Sequence, residues 1–289
     1  MDRLSVLCFA GTYGLALVSE LARLLVKGSM RWYITLALTG LGWIVQTAYL
    51  SNLGWVRGRL PVATPFESLL VVTWLLGAIA IYLMMRAPKP VAVGLFVLPL
   101  VVVLSVVAGL TGPRENWGEW GGRTVFWGRV HGLLLLTGAV SSCVAFVAGL
   151  MYLAQARRLK RKTAPRFGFS LPSLEQSERL NRGAITLAFP LLTGGLFMGL
   201  VLVATTTVDE RPLLKWTDPK ILSTVVMWLA FAVLLHARYQ VAMRGRRMMI
   251  LTLIAFGFLV FTLVGVDLLL PTAHGGGAMP RHAIGRPAE

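Results

Sequence analysis

The chain has 289 residues, of which 56% are hydrophobic and 14% charged, with a mean hydropathy of +0.72. A soluble domain carries about a quarter charged residues, so a water-soluble globule of this size is excluded. The net charge of +16 would suggest nucleic acid in a soluble protein; in a membrane chain it reflects basic loops that set orientation.

A span needs about 20 mostly apolar residues, and eight segments qualify. The first, 4–26, has only Arg3 ahead of its apolar run and contains Glu20 and Arg23, so it reads as a retained helix, not a cleaved signal. The second and third cover 32–50 and 66–85. Gln46, like Glu20, reads as an interhelical hydrogen-bonder. Glu67 opens the third span in TPFESLL, where the helix dipole favours a carboxylate. The fourth span is 91–110. Before the fifth, 127–155, stands NWGEWGGRTVFW (116–127), denser in tryptophan than an interfacial belt needs. Trp117, Trp120 and Trp127 all lie close to His131 there, and exposed aromatics beside a histidine suit a flat apolar macrocycle. RRLKRK (157–162) follows, and then Ser173-Leu-Glu-Gln176, a capping-box pattern that predicts a short interfacial helix. The last three spans are 183–205, 220–242 and 248–270, and the segment after His274 has no apolar periodicity and predicts a disordered tail.

Alternate loops differ sharply in charge. The side holding loops 1–2, 3–4, 5–6 and 7–8 carries 17 of the 28 Lys and Arg and three of the 12 acids, hence +14 against +2 on the other side. The positive-inside rule makes that side cytoplasmic and puts both termini outside. Cys8 and Cys143 lie in apolar stretches without a CxxC partner, so neither a disulfide framework nor a redox pair is expected. No Walker, dinucleotide or HExxH pattern occurs.

Ionisable groups at membrane depth face a bundle interior or a site. His131 and His274 fall at one depth, at the outer ends of spans five and eight. Each alone is an interfacial or loop histidine; together they have the arrangement of two axial imidazoles or of ligands to another metal. His236 lies about 24 Å deeper along span seven at 1.5 Å per residue. It is therefore either a separate site or a residue snorkelling beside Arg238. Asp267 stands two turns before His274, and His282 lies in the tail.

Several segments resemble one family, the CcsA/ResC cytochrome c synthesis proteins, which also includes HemX-like members. WTDPKILSTVVMWLAFAVLLHAR (216–238) is similar to the segment closing that family's tryptophan-rich WWD signature, with Asp218, Pro219, Lys220, Trp228 and His236 at matching spacings. GVDLLLPTAH (265–274) and FWGRVH (126–131) resemble the segments bearing its two outer histidines. PFESLL and LPSLEQSERLNRGAITLAFPLLTGG (171–195) resemble two further segments, in family order. The signature itself departs: Trp216 sits one position early, Thr217 replaces the tryptophan before Asp218, and the upstream aromatics are absent.

The apolar spans predict an all-α polytopic membrane bundle of about eight transmembrane helices. Together with the resemblance they divide the chain into an N-terminal pair (1–60), a CcsA-like assembly domain (61–275) and a disordered outer tail (276–289). The resemblance implies non-covalent binding of b-type haem, with His131 and His274 on the outer iron and His236 on haem within the membrane. Trp120, Trp127, Trp216, Asp218 and Trp228 complete the expected site. The implied setting is a bacterial inner membrane, with a ResB/CcsB-like partner protein, apocytochrome c and no nucleic acid. The chain is then at most the haem-presenting subunit of a lyase complex, with no catalytic residue of its own. The alternative is a HemX-like haem-binding regulator of haem biosynthesis without ligation activity. A proton-coupled transporter using Glu20, Asp267 and His236 ranks below both, because the spans show no inverted repeat.

Overall fold

Hydrocarbon offers the backbone no hydrogen-bond partners, so apolar runs of this length satisfy themselves as helices. In a computed structural model, described for residues 2–25, 30–62, 64–86, 93–111, 123–162, 171–205, 219–239 and 245–269, every predicted span is helical. They are α1 (Asp2–Leu25), α2 (Met30–Arg57), α3 (Pro65–Arg86), α4 (Gly94–Thr111), α5 (Arg123–Lys160), α6 (Leu174–Thr205), α7 (Pro219–Tyr239) and α8 (Arg246–Val260). A π-helical turn, Phe261–Gly265, and a last short helix, α9 (Val266–Leu269), continue α8. Six of the helices are long and apolar enough to cross a membrane, and the apolar parts of α1 and α4 are shorter. Among the described residues there is no strand. The protein is a multi-pass membrane helix bundle.

The bundle has two halves. α1 to α4 pack on one another, α5 to α8 do the same, and α3 and α4 meet α5 across the seam. α5 has 38 residues, about 57 Å at 1.5 Å per residue, so it overshoots a hydrocarbon core of about 30 Å and carries its basic end beyond it. α5 and α6 lie closest. Gly138 gives Leu192 room and Gly195 gives Leu135 room, so the two backbones approach over several turns. Across α5 and α8, Phe146 stacks on Phe256 with centroids 4.3 Å apart.

Each half is tied by one buried polar knot. In the first, Tyr13 Oη donates to Gln46 Oε1 at 2.9 Å. Gln46 Nε2 donates to the Leu70 carbonyl at 3.0 Å and to Thr73 Oγ1 at 2.7 Å. α1, α2 and α3 are thereby locked in register, and the interhelical reading of Gln46 holds. In the second, Asn181 Nδ2 donates to the Ala145 carbonyl at 2.7 Å and to Thr252 Oγ1 at 3.4 Å, and Arg238 donates to Asn181 Oδ1. One asparagine thus joins α5, α6, α7 and α8.

One local expectation is corrected. The capping box forms in both directions: Gln176 N–H donates to Ser173 Oγ at 3.1 Å and Ser173 N–H to Gln176 Oε1 at 3.3 Å. It opens no separate interfacial helix, however, and α6 runs unbroken from Leu174 to Thr205. No turn chemistry interrupts the segment before Pro190, which lies inside the helix.

Asn181→Ala should strand the Arg238 guanidinium and lower unfolding stability in mixed micelles by about 1–3 kcal/mol. Unchanged stability in this variant would show that the knot contributes nothing.

Candidate functional site

His131 is in the third turn of α5, and its ring is half-buried against α6. Its Nδ1 lies 2.7 Å from the Gly195 carbonyl oxygen. A carbonyl only accepts, so Nδ1 carries the proton and the neutral ring keeps its lone pair on Nε2. One turn along α6, Gly199 makes the notch for the ring: a Cβ there would stand 2.8 Å from His131 Cε1. The result is an imidazole with a tethered Nδ1 and an Nε2 able to coordinate, the arrangement that orients histidine ligands of metals. Sequence reasoning missed Gly195 and Gly199. Their signal was the small-xxx-small spacing in GGLFMG.

Trp127 lies four residues before His131, on the same helix face. It is 43% exposed and meets Phe126 edge-on, with centroids 5.2 Å apart and an interplanar angle of 75°. Trp228 is fastened more tightly. Its Nε1 donates to Thr193 Oγ1 at 2.9 Å and its ring stacks on Phe189 at 5.9 Å. α6 therefore holds His131 from α5 through Gly195 and Gly199, and Trp228 from α7 through Phe189 and Thr193.

His236 is not part of this arrangement. α7 buries Met227, Phe231, Leu234 and Ala237, which leaves His236 on the exposed side, in line with Leu229 and Val233. It lies 17 residues beyond the start of α7, about 25 Å along the axis. Arg238 does not snorkel outward beside it but turns inward to Asn181. Near the other end of the same half, the π turn at Phe261–Gly265 immediately precedes α9 and Asp267. Thr262 Oγ1 ties that turn to the Ser223 carbonyl of α7 at 3.2 Å, and π turns of this kind concentrate at functional sites. Trp117, Trp120, Trp216, Asp218, His274 and His282 lie outside the described residues, as does the Asp267 side chain. Among the described residues no group of three His, Cys, Asp or Glu converges on a point.

The sequence profile of the cytochrome c assembly protein family matches residues 62–274, well over half of the chain. The chain belongs to that family. The matched region begins just before α3 and includes His131, His236 and His274. A cytochrome c biogenesis protein CcsA from Thermosynechococcus vestitus is 34% identical over 119 residues, which cover 40% of this chain and 36% of that protein. CcsA of Guillardia theta is 24% identical over 265 residues, 85% of this chain and 86% of its own length. Protein HemX of Bacillus subtilis is 28% identical over 216 residues, with shares of 71% and 72%. No solved structure matches the chain.

In this member of the cytochrome c assembly family, Gly199→Leu should push the imidazole out of its notch. Carbethoxylation of His131 by diethyl pyrocarbonate, followed by mass spectrometry, should then rise several-fold at unchanged helical content. An unchanged rate would show that the notch does not hold the ring.

Proposed function

We propose that this chain is an integral membrane haem-binding protein that delivers haem for c-type cytochrome assembly on the outer face of a bacterial plasma membrane. The observation that carries this reading is the tether between His131 Nδ1 and the Gly195 carbonyl, within the family-matched region. It leaves Nε2 as a neutral donor, and a neutral imidazole suits iron. His274 is the second outer ligand in this reading, and His236 meets haem within the membrane. The haem is of b type and is held without covalent bonds. Residues 61–275 perform the function, and residues 1–60 add a helix pair.

The chain's own residues bind and orient. The bond to Gly195 fixes the ring plane of His131 and leaves Nε2 as the nitrogen that coordinates. Trp127 offers an exposed aromatic face one turn further out, and this reading assigns Trp120 and Trp216 to haem binding as well. Trp228 braces the α7 side, and this reading assigns Asp218 to haem binding. When bound, haem supplies the vinyl groups to which the two thiols of an apocytochrome CxxCH add. That addition asks of this chain only positioning, with a ResB/CcsB-like protein completing the complex.

A second reading, a HemX-like regulator of haem biosynthesis, is favoured by the similarity to HemX and by Thr217 in place of the signature tryptophan. One series of measurements tests both. The purified His131→Ala/His274→Ala variant should lose the Soret band of co-purified haem, and an unchanged band would overturn haem ligation at this site. Deletion in the native host should abolish holocytochrome c; altered haem precursors with normal holocytochrome c would select the regulator.

A further inference from the structure

α2 ends at Arg57, and Gly58 follows with φ of 60°, a left-handed conformation that glycine adopts at no steric cost. That reversal brings Arg57 and Arg59 to one carboxylate, Glu67, in the first turn of α3. Arg57 donates to Glu67 Oε1. Arg59 donates to Oε2 at 2.9 Å and to Oε1 at 3.1 Å. The Thr64 N–H adds a bond to Oε2 at 3.3 Å, and Glu67 N–H returns one to Thr64 Oγ1 at 3.1 Å. Helix dipole and cap add to the stabilisation of this carboxylate, and Arg59 alone reaches both of its oxygens. The second arginine is therefore surplus to neutralising Glu67.

The surplus charge is partly open to the surroundings. The Glu67 side chain is 0% exposed, whereas Arg57 keeps 23% and Arg59 32%. The clasp also adjoins the candidate ligand. The segment after Arg59 runs against α5 beside His131, where a Cβ on Gly132 would stand 3.8 Å from the Val62 carbonyl oxygen. A net-positive edge thus borders the turn of α5 that carries His131.

We propose that Arg57 and Arg59, clamped by Glu67, recognise the carboxylate side chains of the tetrapyrrole bound at His131. This rests on the haem-binding reading above. Guanidinium forks match carboxylates bidentately, and clamping both arginines beforehand lowers the ordering cost of binding. Both propionates of haem leave one edge of the macrocycle. Holding that edge at the α2–α3 turn turns the vinyl edge away from it, and so fixes the orientation in which haem is presented.

The test titrates the full-length protein in nanodiscs with haem and with haem dimethyl ester, whose carboxylates carry no charge. The wild type should bind the free acid about tenfold or more tighter than the ester, the value of one or two charge-assisted bonds. Arg57→Gln leaves Glu67 paired with Arg59 and should reduce that preference. Arg57→Gln/Arg59→Gln/Glu67→Gln removes all three charges without stranding a buried carboxylate, and should abolish the preference while keeping the ester affinity and the Soret position set by His131. Arg57→Lys/Arg59→Lys should restore it in part. Equal wild-type affinities, or a preference that survives in both Gln variants, would overturn the proposal while haem binding stands. A wild type that binds neither compound would instead overturn the haem reading and this inference with it.

Discussion

A polar side chain inside a bilayer has no water to turn to, so it must find its partner within the protein, and this bundle is arranged around that requirement. Gln46 answers it for α1, α2 and α3. Asn181 answers it for α5 through α8. His131 answers it near the start of α5 by donating its Nδ1–H to the Gly195 carbonyl. Lipid tails are as apolar as leucine and supply little drive for helices to associate. Each of these meetings therefore sets register, and glycine contacts set distance. The bond that satisfies His131 in this solvent also aims its other nitrogen.

α6 is the shared support. One stretch of it, from Phe189 to Gly199, receives Trp228 from α7 and His131 from α5. Thr193 and Gly195 are two residues apart, about 200° around the helix, so α5 and α7 attach on different sides. The matched family region spans this whole support. Glu67 applies the same economy at the α2–α3 turn, where a buried carboxylate holds two arginines in place.

The spans were legible because apolar runs of fixed length are the strongest signal a membrane sequence carries. Their ends were less so. α2 runs on to Arg57 where the hydropathy runs out near residue 50, because SNLGWVR continues the helix until Gly58 reverses the chain. α5 extends beyond the predicted 127–155 at both ends, since its basic tail is good helix-forming sequence. The capping box was read correctly as a start, but what it starts is the whole of α6.

The sequence by itself determined that this is a helical membrane bundle, which segments are apolar helices, and which rare side chains merit attention. Those properties follow from composition and spacing along one chain. Only the tertiary structure decided that His131 rests on Gly195 and Gly199, that His236 faces away from the core while Arg238 turns into it, and that Glu67 holds both Arg57 and Arg59. Each of these depends on which face of one helix meets which residue of another. Rotation and register between helices are set by partners distant in sequence, so no local pattern encodes them.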